Sequence, residues 1–90
     1  MNSIALPDTA SAPDQFGYIL RQQRANAAVT VEDLARLASL DVNRLREIDG
    51  GFSEPDLLEV FSIAEALGQK PSQLIRQFEE LSIAQRFTDK

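Results

Sequence analysis

The sequence contains no cysteine and no histidine in its 90 residues. The first absence removes disulfide staples and thiolate metal sites. The second removes the usual general base near neutral pH and the commonest metal ligand. A basic excess is also missing: 9 Lys+Arg face 14 Asp+Glu, a formal net charge of -5. A sequence-blind nucleic-acid binder normally carries the opposite balance, so that class is excluded. No apolar run approaches the ~18–20 residues of a membrane span. Met1 to Ala12 has neither the positive charge nor the unbroken apolar stretch of a signal peptide. No glycine-rich loop could cradle a phosphate, since Gly50-Gly51 reads as a helix stop. Without His or Cys, catalysis would need a carboxylate pair or an activated Ser, Lys or Tyr in a pocket. The acids here are spread over capping and surface positions instead. The expectation is a cytoplasmic protein that is not an enzyme, with no cofactor, no metal and no membrane partner.

What is present suffices for one small core. Hydrophobic residues make up 43% of the chain, and a domain of this size buries about 60–65% of its unfolded surface. Residues 1–13 are rich in Ala, Ser, Pro and Asp, carry Pro7 and Pro13, and read as a flexible tail. From Asp14 the period becomes helical. Asp14 can cap a helix with Phe16, Ile19, Leu20 and Gln23 on one side. Thr30, with Asp33 at the third position, opens a second helix whose buried side is Leu34, Ala35, Leu37 and Ala38. Asp41 opens a third, in which Leu45 and Ile48 point inward and Gly50-Gly51 stops the helix. Asp56 and Glu59 suit the start of a fourth, with Leu57, Val60, Phe61, Ala64 and Leu67 as its apolar face and Gly68 at its end. Pro71 suits the first turn of a fifth, running to about Phe87. Nothing alternates with period two over a strand length and nothing repeats. The fold class is therefore all-α, five short helices joined by two to six residues.

Thr30 to Gly51 is the informative segment. Two amphipathic helices separated by about three residues have the spacing of a helix-turn-helix, which projects the start of its second helix outward. Such a helix fits the major groove of B-form DNA. Around this pair stand Arg24, Leu34-Ala35, Asp49 with Gly51, Pro55, and Ala64-Glu65-Ala66-Leu67-Gly68. In these residues the stretch Phe16–Ile75 resembles the XRE-type, lambda-repressor-like and Cro-like helix-turn-helix family. The resemblance implies a compact five-helix domain over 14–76 and a C-terminal helical extension over 77–90. It also implies a structural ion pair between Arg24 and Asp49 that fixes the recognition helix, about residues 41–49, to the scaffold.

By the same resemblance, contacts to DNA come from Val42, Asn43 and Arg44, with Arg46 and Glu47 further along. Asn43 could address adenine, Arg44 a guanine or a phosphate, Val42 a thymine methyl, and Glu47 a cytosine amino group. Thr30 and the free amides beginning helix two would meet a phosphate, and Arg36 would add a positive contact. Val31 stands where the family commonly has a glutamine that contacts DNA. Ser39 stands where the family has a turn glycine, although serine tolerates left-handed backbone less well. Asp41 and Glu47 put two negative charges on the candidate face, where phosphates would repel them. Within the helix, Asp41 and Glu47 also sit three residues either side of Arg44 and can partly neutralise it.

In the fifth helix Leu74, Phe78 and Leu81 share one side, with Ile75 at its edge, while Ile83 and Phe87 fall almost opposite. Either that helix breaks near Ser82, or Ile83 and Phe87 meet a second chain; a homodimer would suit two half-sites on one operator. Residues 36–55 hold three arginines and four acids, and residues 56–75 three acids and one lysine, so much of the acidic excess lies beyond helix three. The expected function is a sequence-specific transcriptional regulator of double-stranded DNA, nucleoid-associated and of bacterial or phage type, acting as a repressor or activator. The alternative is a non-catalytic protein-interaction module on the same scaffold, of antitoxin or anti-regulator type, with a protein partner and weak or no DNA binding.

Overall fold

The computed structural model describes the backbone of residues 10–88 and side chains as far as residue 84. Five helices follow in order: α1 (Ala12–Ala27), α2 (Val31–Ala38), α3 (Val42–Asp49), α4 (Leu57–Ala66) and α5 (Pro71–Thr88). No strand occurs among the described residues.

Each start is fixed by a side chain that accepts an otherwise unpaired amide. Thr30 accepts from the Asp33 amide at 3.0 Å, and Asp41 from the Arg44 amide at 3.1 Å. Asp56 and Glu59 exchange bonds as a reciprocal capping box, at 2.8 and 2.9 Å. In α1 the cap is Ser11 and not Asp14, which takes the third helical position and returns a bond to the Ser11 amide at 3.1 Å. The helix therefore begins inside the stretch expected to be tail. The α3–α4 connector, residues 50–56, is also longer than the spacing of turn residues suggested.

The core is a single cluster. Phe16, Ile19 and Leu20 of α1 meet Leu34 and Ala35 of α2, Leu45 and Ile48 of α3, Val60, Ile63 and Ala64 of α4, and Leu74 of α5. Phe78 closes one side, its ring centroid 6.0 Å from that of Phe16 in a tilted pair. An amide chain from Gln77 through Gln69 to Gln23 ties α5 and the α4–α5 loop to α1.

Two expected inward faces are corrected. Leu37 is 53% exposed, because the short α2 buries only Leu34, Ala35 and Ala38. In α4 the buried stripe is Val60, Ile63 and Ala64, and this rotation leaves Leu57, Leu58 and Phe61 facing out. The fifth helix passes Ser82 without a break. Ile83 lies exposed on it, and the Phe87 side chain falls outside the described residues.

Candidate nucleic-acid interface

Residues 39–41 join α2 to α3, and the turn depends on Ser39 adopting left-handed backbone, φ 57° and ψ 40°. Its amide donates to the Arg36 carbonyl and the next amide, of Leu40, to that of Ala35, which closes α2 before α3 departs. With Leu45, Ile48 and Asp49 turned inward, α3 presents Asn43, Arg46 and Glu47 outward.

The C-terminal end of α3 is held by one stripe of α1. Gly17, Arg21 and Arg24 fall at i, i+4 and i+7 and so share a side. A β-carbon at Gly17 would stand 2.9 Å from the Gly51 nitrogen and 3.0 Å from the carbonyl oxygens of Ile48 and Asp49, so the two backbones approach as closely as glycine permits. Arg21 donates to the Asp49 carbonyl. Arg24 forks onto the Asp49 carboxylate, Nε to Oδ1 at 2.8 Å and Nη2 to Oδ2 at 3.1 Å, and gives Nη1 to the Val29 carbonyl at 3.2 Å. Two cations thus face the negative end of the α3 dipole. Arg21 and Gly17 are additions to what the sequence suggested. The signal was a glycine inside a helical pattern, which costs about 0.5–1 kcal/mol and so asks for a close approach.

The chain has the fold of several solved structures. It matches the clp gene regulator ClgR of Corynebacterium glutamicum at 23% identity with a TM-score of 0.74, over 92% of this chain and 88% of that one. A hypothetical transcription factor from Neisseria matches at 27% identity and TM-score 0.69, over 82% of this chain and 85% of the other. The restriction-modification controller protein C.AhdI of Aeromonas hydrophila matches at 30% identity and TM-score 0.63, over 67% of this chain and 91% of that one. The chain belongs to the XRE-type helix-turn-helix family. No family model and no curated protein matches it.

The other expected site residues of this helix-turn-helix protein are placed unevenly. Thr30 lies exposed at the start of α2, and Arg36 is 69% exposed in its side chain, paired with Asp33 at 3.0 Å. Val31 and Val42 are half-buried and pack against the core, so they fix the two helix starts as well as bordering the face. Arg46, 52% exposed, donates to Glu32 at the start of α2 and reaches Asn43 Oδ1 at 3.4 Å. This bridge, absent from the sequence reading, gathers the first turn of α2 and the middle of α3 into one surface.

Arg44 is used differently from its neighbours. It turns away from that surface and forks onto Glu59 of α4, with Nε to Oε2 and Nη2 to Oε1 both at 2.8 Å. Glu59 therefore serves twice, as capping residue and as ion-pair partner. The Arg44 hydrogen bonds, foremost, hold its carboxyl below the usual carboxylate range against the opposing effect of burial. With Arg44 so engaged, the outward charges of the face are Glu32, Asp33, Asp41 and Glu47 against Arg36 and Arg46. Among the described residues no helix is long and apolar enough to cross a membrane.

Proposed function

We propose that the chain is a sequence-specific, DNA-binding transcriptional regulator that works in the cytoplasm as a homodimer, with α3 reading the major groove. The carrying observation is the helix-turn-helix itself. Its second helix shows Asn43, Arg46 and Glu47 to solvent, while Arg24 and Gly17 hold its far end against α1. Asn43 can pair with adenine N6 and N7, Arg46 with guanine O6 and N7 once released from Glu32, and Glu47 with a cytosine amino group. Thr30, the first amides of α2 and Arg36 approach phosphates, and Val42 can touch a thymine methyl at the edge of the face. The reading unit lies within residues 14–76. Residues 77–90 extend it toward a second copy, with Ile83 and Phe87 as the dimer contacts. With two outward arginines against four carboxylates, few phosphates are neutralised, and affinity falls gently with salt. The neighbours' descriptions as a gene regulator, a controller protein and a hypothetical transcription factor support the same reading.

Selection from a pool of random duplexes at low salt tests it. The wild-type chain should enrich one motif, and Asn43→Ala and Arg46→Ala should each lose preference at a different base position. No enrichment by the wild-type chain refutes the reading.

One observation favours a second reading, a protein-interaction module. The α2–α3 face is acidic on balance, and Leu57, Leu58 and Phe61 leave an apolar side of α4 bare. Recovery of a protein partner that needs Glu47 or Phe61, without duplex enrichment, would establish it.

A further inference from the structure

We propose that Arg44 is a positioning residue, which fastens the reading helix and residues 53–54 to α4 and makes no contact with DNA. The proposal rests on the regulator reading above and changes what the one basic side chain in the first turn of α3 does in it.

A guanidinium carries five N–H donors in a fixed plane. Here Nε and Nη2 take the two oxygens of Glu59 at 2.8 Å each. Nη2 also reaches the Glu54 carbonyl at 3.0 Å, while Nη1 takes the Ser53 hydroxyl at 2.6 Å and the Glu47 carboxylate at 3.4 Å. Five acceptors from α3, the following connector and α4 thus match the five donors. The fork-on-fork pairing with Glu59 is the strong geometry for such a pair. The Arg44 side chain is 30% exposed and that of Glu59 15%, so withdrawing the guanidinium toward a groove would strand a mostly buried carboxylate. A phosphate or guanine would have to offset that loss, along with the bonds to Ser53 and Glu54.

An eight-residue helix is marginal by itself and takes its orientation from what holds it. The Arg24–Asp49 fork pins the end of α3 to α1. The Arg44–Glu59 fork pins its first turn to α4. Arg46 and Glu47 between these two points, and Asn43 just before the first, are carried on a helix that cannot swing or roll independently of the core. Glu47, one residue of the face, is itself steered by Arg44 Nη1.

The experiment uses the full chain and the duplex enriched by it, with Arg44→Ala, Glu59→Gln and the double variant. Glutamine can keep the capping-box bond through its amide oxygen, but its NH2 group, a donor, takes the place of the oxygen that accepts from Arg44 Nε, so the fork loses both its charge and one of its two hydrogen bonds. Arg44→Ala should weaken binding by about 2- to 30-fold, the range for residues that act on a site without touching its ligand. Glu59→Gln should weaken it less, and the double variant no more than Arg44→Ala. The slope of affinity against salt and the preference at every base position should stay as in the wild type. A direct contact behaves otherwise: Arg44→Ala would lower the salt slope by about one phosphate or relax a single base pair. Either result overturns the proposal. Amide hydrogen exchange of the free variants should quicken within residues 42–56 and stay unchanged in the middle of α1. Unchanged exchange over 42–56 overturns it, as does loss of protection throughout the chain. If the wild-type chain enriches no duplex, the regulator reading falls, and exchange alone decides the fastening.

Discussion

Replacing Arg24 with alanine removes the fork that ties α1 to the end of α3. Its partner Asp49 is 8% exposed as a residue, and the paired side chains are 19% and 12% exposed. Breaking a fully buried pair costs ~3–5 kcal/mol because an unpaired charge stays behind, whereas an exposed pair is worth ~0–1 kcal/mol. This pair lies nearer the first limit, with some water able to reach the stranded carboxylate, which sets the loss at about 2–3 kcal/mol. For a domain of this size a loss of that order lowers the melting temperature by roughly 10–20 °C. Urea unfolding of wild type, Arg24→Ala, Asp49→Asn and the double variant measures it. If the cost comes from an abandoned carboxylate, Asp49→Asn placed in the Arg24→Ala background recovers part of the stability. A single-variant loss below about 1 kcal/mol, the value of an exposed pair, would falsify the tethering role. A double variant no more stable than Arg24→Ala refutes the stranded-charge mechanism.

Three further predictions concern stability. Ser39 holds φ 57°, a left-handed conformation that costs an L-residue ~1–2 kcal/mol, against which glycine loses only ~0.5–1 kcal/mol of extra chain entropy. Ser39→Gly should therefore raise stability by about 0.5–1 kcal/mol, visible as a higher melting temperature. Gly17→Ala should destabilise by about 1–2 kcal/mol despite alanine's better helix propensity, because the new β-carbon meets three backbone atoms that cannot swing aside. Gly50→Ala is its control: there the closest atoms belong to the Phe52 ring, which is 85% exposed and free to move, and the one backbone atom met is the Arg46 carbonyl oxygen at 3.1 Å, so equal losses in unfolding would refute the argument. Last, Glu59 is held below the ordinary carboxylate pKa of about 4.3, first by its Arg44 hydrogen bonds. Its contribution is complete above that ordinary value and drains away as pH falls through the lowered folded-state value. Glu59→Gln should flatten the acid limb of stability against pH in urea titrations, and an unchanged limb would contradict this.

What the sequence revealed followed the range of the interactions. Caps at Thr30, Asp41 and Asp56, and the stops at Gly50-Gly51 and Gly68, join groups within a few residues, so local pattern suffices to place them. The start of α1 shows the limit of that method. Ser11 and Asp14 are both good caps, and the helix uses both at once, one as cap and one as its reciprocal partner. The inward side of α4 was not legible, because seven of its ten residues are apolar and period alone leaves two sides eligible. Contact with α2 and α5 chooses Val60, Ile63 and Ala64. Arg44 posed the same difficulty in charge. Asp41 and Glu47 are its neighbours along the helix, yet the partner that claims it is Glu59, fifteen residues on and brought near only by the packing of α4.

The stripe Gly17, Arg21 and Arg24 makes α1 a ruler for the rest of the domain. Seven residues are nearly two turns, so the bare backbone at one end and the guanidinium at the other meet the end of α3 only if the count between them is kept. A substitution at an exposed position such as Gln22 leaves the ruler intact. One residue inserted or deleted between 17 and 24 turns the two ends by about 100° relative to each other, and either the close approach or the fork is lost. Length variation in this region is therefore forbidden where composition is free, and related chains should align through this stretch of α1 without a gap.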